Sequence, residues 1–203
     1  MKIRFAFHNP QGERGVGKAI VGWTWILGCF YNWKVLKYNY SHVEVWVPGE
    51  YGHFDVLDPE PQHCGDDDWG VKFVGQCFSS TTRGTSDGVR LAPACDILRN
   101  PYRWDYIECD VDPERLEVAL AEFQKLLGLR YDFWGIFGFL NPFPVQDDKR
   151  WYCSELCNWF AVLCGITERQ KRISPRRLAY KLAKRWGEPV PYYPVCVTKI
   201  HFL

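Results

Sequence analysis

The stretch Tyr40–Val47, YSHVEVWV, alternates without a break. In an extended chain Val43, Val45 and Val47 fall on one side, and His42, Glu44 and Trp46 on the other. The valine side suits a core. The opposite side sets an imidazole and a carboxylate next to each other beside a tryptophan, so the pattern predicts a strand that holds a candidate proton acceptor rigidly in place. Pro48 and Gly49 end it.

Reading outward, "MKIRFAFHNP" at the start predicts another strand, and "VKFVGQCFS" (71–79), "GVRLAP" (88–93) and "RWDYIECDV" (103–111) predict three more. The segment from Glu50 to Trp69 is rich in Pro, Gly and Asp. It reads as a long loop with a short strand at "HFDVL", a connection long enough to serve as a lid or an attachment surface. "VCVTKIHFL" at the end predicts a closing strand.

Three helices carry clear boundary signals. The first has Asp112 as its cap, Pro113 in the first turn and Gly128 as its left-handed stop, with Leu116, Leu120, Phe123 and Leu127 as the buried stripe. The second runs from about Cys153 to Leu163 and stops at Gly165. The third, "SPRRLAYKLAKRWG", has Ser174 as cap, Pro175 at the first position and Gly187 as stop. Its Arg176, Arg177, Lys181, Lys184 and Arg185 predict a solvated basic face.

Composition bounds the function classes. With 203 residues, 47% of them apolar, the chain is long enough for one well-buried core, so residues 1–203 are read as a single domain. A formal net charge of +1 gives no electrostatic reason to expect nucleic acid as a partner. The run "AIVGWTWILGCFYNW", 15 residues, falls short of the roughly 20 that a spanning helix needs, and "FWGIFGFLNPFPV" is shorter and broken by prolines. Both are read as core or cleft wall, with peripheral lipid or envelope contact as the lesser alternative. The first residues lack the apolar run of a secretory signal, which leads to an expectation of a cytoplasmic protein.

Nine cysteines cannot all pair within one chain, and their spacing suggests no disulfide framework, so reduced thiols are expected. Cys153 differs from the rest in its context. In "RWYCSELC" it sits at a helix start after a polar loop, where unsatisfied backbone N–H groups and the helix dipole favour a thiolate. An imidazole would complete its activation, and His42 on its strand is preferred over His53; His8, His63 and His201 are placed less favourably. Cys153, Cys157 and Cys164 share a helix face, and two thiolates a turn apart can grip zinc, but no second pair completes a tetrahedron. No metal or cofactor is therefore expected. "GERGVGKAI" supplies Gly12, Gly17 and Lys18 of a phosphate-binding loop, yet Ala19 stands where that loop needs a hydroxyl for magnesium.

Together, "YSHVE", "GLRYDFWG", "WYCSEL" and "ISPRRLA", in that order, resemble the circularly permuted branch of the NlpC/P60 papain-like superfamily, the YiiX/YaeF-like cysteine hydrolases related to lecithin-retinol acyltransferase. In the ordinary enzymes the cysteine helix precedes the histidine strand; here the histidine comes first. The resemblance spans about Ile20 to Ala179. It implies an α+β fold in which a small antiparallel β-sheet packs against helices. It also implies Cys153 as nucleophile, His42 as general base and Tyr131 as the tyrosine bordering the cleft and positioning the scissile carbonyl. A third polar group is expected to orient the imidazole: Glu44 could do so from the same strand face, and His53, Asp55 and Gln76 compete for the role. The expected function is hydrolysis, or acyl transfer, at an amide or ester bond of a cell-wall peptide or an acyl lipid. Similar sequences occur among phage proteins, so a virion location and a phage-particle partner stand beside the cytoplasmic reading. The rival expectations are a silent member of the fold serving a phage or other assembly, and a nucleotide binder.

Overall fold

The structure, a computed structural model, describes residues 1–10, 33–49, 75–82, 87–132, 149–170 and 173–191. It is a mixed α+β architecture. Six strands form one antiparallel sheet: β1 (Lys2–His8), β2 (His42–Val47), β3 (Gln76–Thr81), β4 (Gly88–Pro93), β5 (Trp104–Asp110) and β8 (Val190–Pro191), in the spatial order β4-β3-β2-β1-β5-β8. Two short strands, β6 (Arg130–Tyr131) and β7 (Arg150–Trp151), pair in parallel beside it. Four helices are described: α1 (Ala94–Leu98), α2 (Pro113–Gln124), α3 (Cys153–Leu163) and α4 (Pro175–Trp186).

Alternation in β2 divides the core as its valines require. Val43, Val45 and Val47 join the main cluster with Phe5, Phe78, Phe123, Leu156, Phe160 and Leu182, which brings α2, α3 and α4 onto one side of the sheet. Phe78 of β3 stands edge-on to Phe160 at 4.6 Å between ring centroids and lies 4.2 Å from Phe123, so one aromatic side chain joins the sheet to two helices. The other side of the sheet holds a smaller cluster of Ala6, Trp46, Cys77, Ala94, Cys95, Leu98 and Trp104, built partly on α1. As a result β2 is buried on both faces, including His42 and Glu44.

The capping signals are realised at two helices. The Asp112 side chain accepts from the Arg115 N–H at the start of α2, and the Ser174 hydroxyl accepts from the Arg177 N–H at the start of α4. Gly128, Gly165 and Gly187 all take positive φ after their helices. Gly88 also has positive φ, and a Cβ there would lie 2.0 Å from the Leu129 carbonyl. That close approach lets Val89 donate to Leu129 and ties β4 to the segment that becomes β6.

Several expectations are corrected. Leu127 is substantially exposed, because α2 ends at Gln124 and the chain turns through Gly128, which carries Leu127 off the buried stripe. Arg176 does not join the solvated face of α4: it is buried and donates to the Leu36 carbonyl and, at 2.7 Å, to Asn39 Oδ1, clamping α4 to the segment before β2. Cys95 is disulfide-bonded, against the expectation of reduced thiols throughout, while Cys77, Cys109, Cys153, Cys157 and Cys164 are free. The sequence pattern named neither α1 nor β8, each too short to show a period. The expected strands at "HFDVL" and "VCVTKIHFL", the Glu50–Trp69 loop, the first aromatic run up to its last residue, the whole of the second, and the glycine-rich turn with Lys18 lie outside the described residues. Among the described residues no helix is long and apolar enough to cross a membrane.

The aromatic link through Phe160 sets the first prediction. Phe160→Ala should cost about 3 to 5 kcal/mol of stability, since it opens a cavity where α3 meets Phe78 of the sheet. Equilibrium denaturation in urea, compared with the wild-type chain, measures it.

Candidate active site

The register between β2 and β3 creates the site. These strands pair as Val45 with Phe78, Trp46 with Cys77 and Val47 with Gln76, and there the ladder stops. Two residues further toward His42, the Val43 carbonyl accepts from two side chains, Ser79 Oγ at 2.8 Å and Cys157 Sγ at 3.6 Å. Cys157 belongs to α3, so the helix lies over the place where the two strands part. One helical turn earlier on the same face is Cys153. One residue earlier in the strand is His42. The two expected partners, 111 positions apart in the chain, come close enough for the Cys153 thiol to act on the His42 imidazole.

The start of α3 is held in place by the sheet. Ser80 of β3 donates its hydroxyl to the Trp151 carbonyl at 2.6 Å, and the Asp132 N–H donates to the same carbonyl at 3.0 Å. Inside the helix, Ser154 Oγ donates to the Ile173 carbonyl at 2.6 Å. Tyr131 pairs with Trp151 in the parallel β6–β7 ladder, so its backbone lies beside the segment that leads into Cys153. Tyr131 is buried. Unlike Asp112 and Ser174, the residue preceding α3, Tyr152, makes no side-chain cap.

The second imidazole nitrogen is also engaged. His42 Nε2 lies 2.7 Å from Glu44 Oε1, and because a carboxylate only accepts, Nε2 carries the proton and Nδ1 is left for the thiol. Of the competing orienting groups, Gln76 pairs with Val47 at the other end of β2. His53 and Asp55 lie outside the described residues.

Arg90, which the sequence reading did not single out, extends the chain of contacts. From β4 it reaches over β3 to place Nη2 2.7 Å from the same Glu44 oxygen. The signal that could have found it is its place in "GVRLAP", a charged residue inside an otherwise apolar strand, where a buried charge needs a partner. Glu44 is fully buried, and a cation on each side of its oxygen balances the cost of that burial.

Electrostatics follow from these contacts. Burial works against a charged His42, yet the negative charge and hydrogen bond of Cys153, followed by those of Glu44, outweigh it and push its pKa up to about 9. Burial instead holds the thiols of Cys77, Cys109, Cys157 and Cys164 well above the ordinary range, which keeps them protonated and unreactive at neutral pH. Among the described residues no three His, Cys, Asp or Glu side chains converge as a metal-ligand set. Cys157 and Cys164 pack in the main core with Phe160.

Comparison with known proteins adds no relative: no family model, curated protein or solved structure matches the chain.

The raised pKa of His42 has a consequence for stability. Below about pH 6.5 the imidazole is protonated in both folded and unfolded chains, and its full contribution is present. As pH rises from there through about 9, the folded chain holds a proton that the unfolded chain has released, and the contribution is lost. Melting temperatures recorded from pH 6 to 10 should therefore fall more steeply for the wild-type chain than for His42→Gln.

Proposed function

We propose that the protein is a thiol hydrolase or acyltransferase that opens an amide or ester bond through an acyl-enzyme on Cys153. The single observation that carries this reading is the placement of His42 between the Cys153 thiol and the Glu44 carboxylate. A nucleophile at a helix start, a base within its reach and a third group that fixes the base are the parts such a reaction requires.

In the proposed mechanism His42 takes the thiol proton and the Cys153 sulfur attacks the carbonyl carbon. The carbonyl oxygen, now negative, is received by the N–H groups at the start of α3, the Cys153 N–H among them. The imidazolium then gives its proton to the leaving amine or alcohol, leaving a thioester. Water, or a second acceptor in the transferase case, attacks that thioester while His42 takes its proton. Glu44 holds Nε2 throughout, which leaves Nδ1 as the nitrogen that exchanges the proton with the sulfur. Tyr131 is assigned to positioning the scissile carbonyl.

The finer fold assignment, a permuted papain-like domain of the NlpC/P60 type, belongs to the same proposal. It is supported by the order of elements, histidine strand first and cysteine helix later, together with the packing of that helix on an antiparallel sheet. Cell-wall peptides and acyl lipids are the substrate classes that the sequence resemblance implies. A second reading, a catalytically silent relative serving as a structural or binding component of a phage or other assembly, draws on one observation: Cys153 and His42 are only 4% and 6% exposed.

Competitive alkylation separates the two. At pH 7 Cys153 should react about ten-fold faster or more than any other free thiol, as expected of an imidazole-paired cysteine. A thiol-reactive acyl probe should label the wild-type chain and fail on Cys153→Ala. Glu44→Gln should slow acyl-probe turnover by at least about 10-fold, because the imidazole loses the carboxylate that fixes its orientation. Labelling of Cys153 no faster than that of Cys109 or Cys164 would sink the enzyme reading.

A further inference from the structure

We propose that Arg90 is a positioning residue of this site: by binding the same oxygen of Glu44 that His42 binds, it fixes that carboxylate and offsets its charge, so that Glu44 orients the imidazole without trapping its proton. The inference rests on the proposed function and assigns a role to a residue two strands away from the histidine.

Its basis is geometric. His42 Nε2 and Arg90 Nη2 each lie 2.7 Å from Glu44 Oε1. Glu44 Oε2 and Arg90 Nη1 are buried and have no hydrogen-bond partner among the described residues. The guanidinium therefore grips the carboxylate at a single point, on the oxygen that faces the imidazole. Arg90 is itself largely buried, its side chain 12% exposed, which shields the contact from solvent.

A proton shuttle must release what it takes up. An imidazolium held between a thiolate and an uncompensated buried carboxylate would keep its proton through the whole cycle. Arg90 supplies the compensating charge, and it acts through Glu44, since the groups that act on His42 directly are Cys153 and Glu44. The other titratable groups around the site are His8, opposite His42 on β1, Cys77 on β3, which feels both Glu44 and Arg90, and Cys157 on α3, which feels Cys153 and Glu44.

The test is the titration midpoint of His42, followed by NMR on protein labelled with ¹³C-histidine and assigned with His42→Gln. Arg90→Gln should raise the midpoint by at least about half a pH unit, Glu44→Gln should lower it by about one unit or more, and Arg90→Lys, which keeps the charge, should leave it near the wild-type value. An arginine that only braced the sheet would not move the midpoint. Should Arg90→Gln alone leave Glu44 too poorly compensated to fold, the pair Glu44→Gln/Arg90→Gln removes both charges. That double variant should titrate like Glu44→Gln. An unchanged or lowered midpoint in Arg90→Gln, or a double variant that departs from Glu44→Gln, would overturn the assignment of Arg90 and leave the cysteine–histidine reading standing. A wild-type midpoint near 6.5 would overturn both.

Discussion

The carbonyl of Val43 is the constraint on which the site depends. In an unbroken β2–β3 ladder it would accept a backbone N–H from β3. Here the ladder ends at the Val45–Phe78 pair, and the acceptor is satisfied by Ser79 and Cys157. A buried carbonyl left without a donor costs free energy comparable to a lost hydrogen bond, so the strands can part only because these side chains replace the missing backbone donor. Their parting seats α3 over the gap. The helix side chains thereby meet residues of the opposite sheet face, and the histidine at the first position of β2 comes within reach of the cysteine at the first position of the helix.

From that meeting a line of buried charge crosses the sheet in alternating sign. In its ion-pair form it runs from the Cys153 thiolate to the His42 imidazolium, the Glu44 carboxylate and the Arg90 guanidinium, and it sums to zero. Each charge is expensive to bury alone and tolerable when flanked by opposites. The four groups come from α3, β2 and β4, so the line is assembled by the tertiary fold and by no single element. Among the described residues the other free thiols have burial as the dominant influence, which is why Cys153 is set apart chemically from its neighbours.

How much of this was legible in the sequence depends on the range of the interaction involved. The β2 alternation, the start of α3 and the caps at Asp112 and Ser174 are local, and a strand or helix displays them in its own residues. Glu44 was legible because it lies two residues from His42 on the same strand face. Arg90 was not, because strand order and register decide which side chain reaches over β3, and neither is written in the pattern of one strand. The same holds for Arg176, whose charge suggests solvent until the segment at Leu36 and Asn39 is packed against it. The exposure of Leu127 turns on a helix end a few residues earlier than Gly128 suggests, and the disulfide of Cys95 depends on a spatial approach that spacing does not encode.

The start of α3 completes the logic. At α2 and α4 an Asp and a Ser precede the helix and satisfy first-turn N–H groups, a contribution of about 1 kcal/mol each. At α3 the corresponding residue is Tyr152, whose oxygen is carried away at the far end of a ring, and no cap forms. Ser80, the Asp132 N–H and Ser154 anchor the neighbourhood by other routes, through the Trp151 and Ile173 carbonyls. The helix start can therefore forgo a cap without losing its position. What a cap would have occupied is the place where an anion is favoured, and in the proposed reaction the anion that arrives there is the oxygen of the carbonyl under attack.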